Sequence, residues 1–306
     1  MKDSPLFRVT KTRSWRHSGF TIMELLVAVS MTSLIMSLLV GTVLFMHDGY
    51  HTDMVRTQIN GNLRSGLDVL SMNIRQAGEN LQSAFPAVVL ENGTEGAADV
   101  LKLRRNKIKE VLALCQDISA GTTSLPVSRN DLSVSQCVNS NVQGSWEAFQ
   151  TARNDDGGST RIFIFDLSSR DGEFLDYTAD SFASSVYTLT TSAVSNAYSA
   201  LTTAIYVLEE YRFAVNLGNN TLTLEFEGDA TQDSTVAFDV TDLDVTLLMD
   251  DDTEIEELLE DDGTYDWKDI QLVEVTLSGS RERKGIAYST SLSATYFPRN
   301  VLSYDG

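Results

Sequence analysis

From Leu25 to Met46 the chain runs for 22 residues without a charge. Apolar residues then recur at Val55, Ile59, Leu63, Leu67, Leu70 and Ile74, in steps of four, four, four, three and four. That spacing is the stripe of an amphipathic helix, with Arg56, Gln58, Asn62, Arg64 and Asp68 on its other faces. The uncharged run, rising 1.5 Å per residue, would span about 33 Å, enough to cross an apolar bilayer core of about 30 Å. Together the two patterns predict one helix over 20–77, about 87 Å long if continuous, with Gly78 as its C-terminal cap. Gly41, Gly49, Gly61 and Gly66 weaken it, and Gly41 is a point for local melting.

From Gly78 onward the helical period gives way to short β-type runs between turn signals. They are DVLKLRR (99–105), TRIFIFDL (160–167), TAIYVLEEYRFAV (203–215), TLTLEFE (221–227), LDVTLLM (243–249), QLVEVTLSG (271–279) and AYSTSLSATYF (287–297). Leu217-Gly218-Asn219-Asn220 joins the third run to the fourth as a hairpin. Residues 115–160 give no clear period and are expected to form a long elaborated loop. The expected class is α+β: a long N-terminal helix, apolar in its first half and amphipathic in its second, packed on an antiparallel β-rich globular domain over 78–306.

Net charge is −20, and it is unevenly spread. Residues 1–19 carry Lys2, Arg8, Lys11, Arg13 and Arg16 against Asp3, which leaves 18 basic and 42 acidic residues in the remainder, a net of −24. So acidic a body repels phosphate backbones, so nucleic acid is not an expected partner. Basic residues before the apolar run and Asp48 and Asp53 after it place the N-terminus in the cytoplasm and the body across the membrane. A secretory signal would have a shorter apolar core and a small-residue cleavage site, and MHDGYHTD follows the run instead.

The two cysteines, Cys115 and Cys137, would close a disulfide loop of about 23 residues outside the cytoplasm, worth about 3 kcal/mol on a chain-entropy estimate. Two free buried thiols are the alternative, and neither cysteine has the spacing of a zinc site. His17, His47 and His51, the only histidines, lie in the leader or beside the apolar run. The body therefore lacks the histidine of a Ser-His-Asp or Cys-His arrangement. His47 and His51 share a helical face, for which a place next to the membrane is an adequate account. Walker and dinucleotide-binding loops are missing, and no enzymatic activity is expected.

The segment SGFTIMELL, residues 18–26, resembles the type III signal of type IV prepilins and pseudopilins: a basic leader, then G-F-T-x-x-E, then the apolar span at once. The resemblance implies cleavage between Gly19 and Phe20 by a membrane-embedded prepilin peptidase, and N-methylation of Phe20. Residues 1–19 would then be a cytoplasmic leader, 20–77 the pilin helix with its span over 25–46, and 78–306 the periplasmic or extracellular domain. It also implies that Glu24 pairs with the N-terminal amine of Phe20 in a neighbouring subunit. A central membrane carboxylate costs about 2.5–3.5 kcal/mol, which such a pair would offset. The alternative for Glu24 is an interfacial side chain solvated by headgroups. Many pilins carry a proline in the span near Gly41, and this chain has none.

Further along, FDVTDLDVTLLMDDD, an acidic interval, IQLVEVTLSGS and a last strand ending YFPRN are similar to W-type minor pilins, and next to the J-type pseudopilins of type II secretion. The resemblance implies a minor pilin that takes part in assembling or initiating a type IV pilus. Its partners would be other minor and major pilins and the inner-membrane assembly platform. It would reside in the inner membrane as a single-pass precursor and afterwards at the cell surface. A J-type pseudopilin and a pilus-displayed adhesive or ligand-binding module are the alternatives. The acidic interval 250–269 holds eleven carboxylates and one lysine. Related pseudopilins bind calcium, which makes Asp261, Asp262 and Asp266 candidate ligands, but the EF-hand spacing is missing and a solvated acidic loop is the expected form. No other cofactor is expected.

Overall fold

The computed structural model describes residues 19–82, 85–129, 137, 142–226, 233–260, 264–283 and 286–300. Residues 1–18, which include His17 and most of the expected 1–19 leader, and the calcium candidates Asp261 and Asp262 lie outside the described residues. The chain divides into two compact units, 1–54 and 55–306.

The first unit contains the start of helix α1 (Ile22–Gln76). No melting occurs at Gly41: the α-helix is unbroken. A single glycine costs about 1 kcal/mol relative to alanine, too little to interrupt a helix that continues for several turns on either side. Large apolar side chains from Phe20 to Met46 are exposed on every face. The hydroxyls along the run turn back on the helix: Ser30 donates to Val27 O at 2.9 Å, Thr32 to Ala28 O at 2.9 Å, Ser37 to Ser33 O at 2.8 Å and Thr42 to Leu38 O at 2.9 Å. These four hydroxyl hydrogens thus find internal acceptors, as an apolar surrounding favours.

In the second unit the amphipathic stripe behaves as its spacing predicts. Val55, Ile59, Leu63, Leu67, Leu70 and Ile74 are all buried in one hydrophobic cluster with the strands. Burying six such side chains contributes on the order of 10 kcal/mol as an upper estimate, well beyond the cost of Gly61 and Gly66. Gly66 also serves a close approach, since a Cβ there would sit 2.9 Å from Leu277 Cδ1.

The strands are β1 (Val88–Glu91), β2 (Val100–Asn106), β3 (Leu112–Leu114) and β4 (Ser124–Arg129). A second helix, α2 (Val142–Asp155), precedes β5 (Thr160–Asp166), β6 (Gly172–Ala183), β7 (Val186–Thr191) and β8 (Thr203–Tyr206). Then come β9 (Leu208–Asn216), β10 (Thr221–Phe226), β11 (Ser234–Phe238), β12 (Val240–Met249), β13 (Glu254–Ile255), β14 (Ile270–Arg283) and β15 (Ile286–Tyr296). They form a five-stranded sheet β1-β2-β9-β10-β11, a four-stranded sheet β13-β12-β14-β15 and a closed barrel β3-β4-β7-β6-β5-β8, antiparallel throughout. The class is α+β.

Two further expectations need correction. Residues 115–160 are not simply a long loop: β4 and α2 lie there. Helix α2 buries only Val142, Phe149 and Ala152, too sparse a stripe to stand out from a polar stretch. The run 203–215 is not one strand. It breaks at Val207, because β8 closes the barrel while β9 joins the five-stranded sheet. Strands β6 and β7 went unread because their side chains alternate weakly and stay half-exposed. The 217–220 hairpin stands as expected, with Asn216 opposite Thr221 and Asn220 at φ 51°.

The near-continuous apolar run of β5 has a specific cause. Ile162 and Ile164 belong to the barrel's cluster, whereas Phe163 and Phe165 belong to the cluster that includes α1. Successive strand residues face opposite sides, so β5 is a wall with a core on each face. Strand β8 repeats the device, with Ile205 toward the barrel and Ala204 and Tyr206 toward the other side. Phe85 sits against this wall, its ring centroid 5.7, 5.1 and 4.8 Å from those of Phe163, Phe165 and Tyr206.

Candidate functional site

Gly19, Phe20 and Thr21 precede the helix in non-helical backbone and are exposed. The first helical residue is Ile22, which makes Thr21 the N-cap and Glu24 the third helical residue. The Thr21 hydroxyl accepts the Glu24 backbone N–H at 3.2 Å and stands 3.5 Å from Glu24 Oε2, and Leu25 N–H donates to Thr21 O at 3.1 Å. Thr21-x-x-Glu24 is thus the first half of a capping box, a bond worth about 1 kcal/mol. The carboxylate also faces the positive end of the helix dipole, worth about 0.3–1 kcal/mol where exposed. Glu24 therefore has a local role beside the pairing role that the resemblance implies. The capping role of Thr21 is not among the sequence expectations, although T-x-x-E before an apolar run is the signal that finds it. A side chain at position 19 would meet nothing within 4 Å, so the glycine is not required by packing.

Cys115 and Cys137 are joined in a disulfide, with their Cα atoms 4.9 Å apart. Asp266, the described member of the calcium set, is already engaged by cations: Arg170 lies 2.5 Å and Lys268 3.5 Å from its oxygens. Among the described residues no three His, Cys, Asp or Glu side chains are grouped to hold a metal ion. The acidic interval is anchored rather than merely solvated. Leu258 exchanges two backbone bonds with Leu90 at 2.9 Å each, and Leu258 and Trp267 are buried.

Several ionisable groups of the second unit are joined in structural networks. Arg104 is buried among Glu210 (2.5 Å), Glu260 and Pro86 O, with its guanidinium 5.3 Å from the Phe163 ring centroid. Burial disfavours its cation, but the two carboxylates outweigh that and hold its pKa above the ordinary value. Arg105 bonds Glu209 at 2.7 Å, Gln76 of α1 at 2.5 Å and the Tyr211 hydroxyl at 2.5 Å. Burial first, then Glu209, push Tyr211 up to about 12. On the barrel, Arg153 of α2 pairs with Asp180 at 2.8 Å, and Tyr177 donates to the same carboxylate at 3.0 Å. Glu173 accepts the Ser195 and Asn196 backbone N–H groups and the Tyr198 hydroxyl. These contacts tie strands and helices together within the second unit.

One helix among the described residues, α1, is long and apolar enough to cross a membrane, with a mean hydropathy of 2.1 over its best window. No family model, curated protein or solved structure matches this chain.

Proposed function

We propose that this chain is a prepilin-like subunit of the minor-pilin type, cut after Gly19 and assembled through its apolar N-terminal segment. The observation that carries this is the Gly19-Phe20-Thr21-x-x-Glu24 motif, with Gly19–Thr21 exposed before the helix and Glu24 in the first turn of an apolar helix. A peptidase needs an extended, accessible bond, and a glycine before the cut lets its backbone approach closely. Before cleavage the 25–46 segment holds the chain in the inner membrane, N-terminus inward. Cleavage removes the basic leader and exposes the Phe20 amine, which is then N-methylated. In the fibre Glu24 pairs with the Phe20 amine of a neighbouring subunit, and the β-rich unit makes lateral contacts with other pilins.

The capping geometry selects the substitution that tests the pairing. Glutamine satisfies the same capping position as glutamate, so Glu24→Gln removes the charge while the helix still starts at Ile22. The expected result is normal leader removal with at least about a tenfold loss of the subunit from sheared fibres, since an unpaired buried amine costs several kcal/mol. Incorporation at the unsubstituted level would remove the charge pair from the account.

A further inference from the structure

His47 and His51 stand four residues apart on α1, which brings their rings onto one face of the helix. Their Nε2 atoms lie 3.1 Å apart, with ring centroids 4.2 Å apart and ring planes at 81°. With neutral rings, one Nε2 donates and the other accepts across that gap. The same separation is the bite of two imidazole nitrogens on one metal ion. With both bonds near 2.05 Å, a 3.1 Å span subtends about 98° at the metal. That lies between the right angle of octahedral or square-planar coordination and the tetrahedral angle.

From this geometry we infer that His47 and His51 form a two-point chelate for a borderline-soft divalent transition ion of the zinc, nickel or copper(II) kind. The ion takes the place of the shared proton. With the exposed His47 as the donor, its ring moves the proton from Nε2 to Nδ1 through solvent, both rings stay neutral, and the two Nε2 lone pairs coordinate while water fills the other positions. The composition leaves such an ion few competing sites. The chain has three histidines, and its two cysteines are bonded to each other. Its many carboxylates are hard ligands that suit calcium and magnesium instead. A helix presents both rings without a loop to order, so little conformational entropy is lost on chelation. The site needs only the helix and is independent of any role in a fibre.

The test uses the full-length, untagged chain in detergent, titrated with zinc chloride by calorimetry and with copper(II) by electron paramagnetic resonance. The expected result is one ion per chain, with a copper spectrum carrying splitting from two nitrogens. His47→Gln and His51→Gln should each weaken binding at least about tenfold, while His17→Gln leaves it unchanged. Glutamine is a good helix former, and far-ultraviolet circular dichroism checks that α1 persists. Excess calcium should not displace the ion. Uptake that survives both substitutions, or that calcium displaces, would put the ion on carboxylates and overturn the inference. So would the lack of saturable uptake by the unsubstituted chain.

Discussion

Gly78→Ala is expected to destabilise the β-rich unit by at least about 3 kcal/mol, through two separable causes. Gly78 ends α1 at φ +80°, a left-handed conformation that costs an L-residue about 1–2 kcal/mol. Its N–H donates to Arg104 O at 2.9 Å, which fixes the chain direction as it leaves the helix. In addition, a Cβ there would sit 2.4 and 2.5 Å from Cη2 and Cζ3 of Trp267, a ring only 2 % exposed. The indole would have to move inside a packed core. Gly121→Ala supplies the control, because that glycine has φ +86° with nothing within 4 Å of its added Cβ. It should cost only about 1–2 kcal/mol. The two urea midpoints, read by tryptophan fluorescence on the full chain in detergent, separate backbone strain from the clash. Equal shifts would mean that the Trp267 contact contributes nothing.

Arg104→Met is expected to cost about 3–5 kcal/mol, the range for breaking a buried ion pair from one side. The guanidinium is 2 % exposed and its partner Glu210 is 4 % exposed at the side chain. Removing it leaves a buried carboxylate without a counter-charge, deprives Pro86 O of its donor and takes a cation off the Phe163 face. A second substitution locates the cause. In Arg104→Met with Glu210→Leu the orphaned charge is gone, and most of the loss should be recovered because apolar replacement of a buried pair is often near neutral. Glu260, about one-third exposed at its side chain, has solvent to turn to. If the double variant is no more stable than Arg104→Met alone, the buried charge is not what makes the single change costly.

How much of this was legible in the chain follows from which patterns are local. The α1 stripe was, because every residue from Val55 to Ile74 at those steps packs into one core and period alone encodes that. Strands with two buried faces, such as β5, were equally plain. The barrel was not. Strands β6 and β7 show little alternation, and closure joins β3 to β8 across about 90 residues of sequence, a pairing that no window contains. The buried cation network was half visible. Arg104-Arg105 lies opposite Glu210-Glu209 in register, yet the register is itself a tertiary fact. At the candidate site the motif 19–24 is contiguous and could be read directly. What the structure adds is the Thr21 cap, which gives Glu24 a local reason to stand at the first turn, apart from the proposed pairing.

That cap also separates two claims about the same glutamate, local helix start and the proposed intersubunit pairing, and the second rests on where the mature chain begins. The direct measurement is the intact mass and N-terminal sequence of the chain recovered from cells that contain a prepilin peptidase. The account predicts a chain starting at Phe20 whose N-terminal residue carries one added N-methyl group. Gly19→Val should keep the leader, because position 19 is open and the substitution acts on the peptidase and not on the fold. A chain that keeps residues 1–19 in the presence of the peptidase, or that is cut beyond the apolar run near His47, would contradict the account.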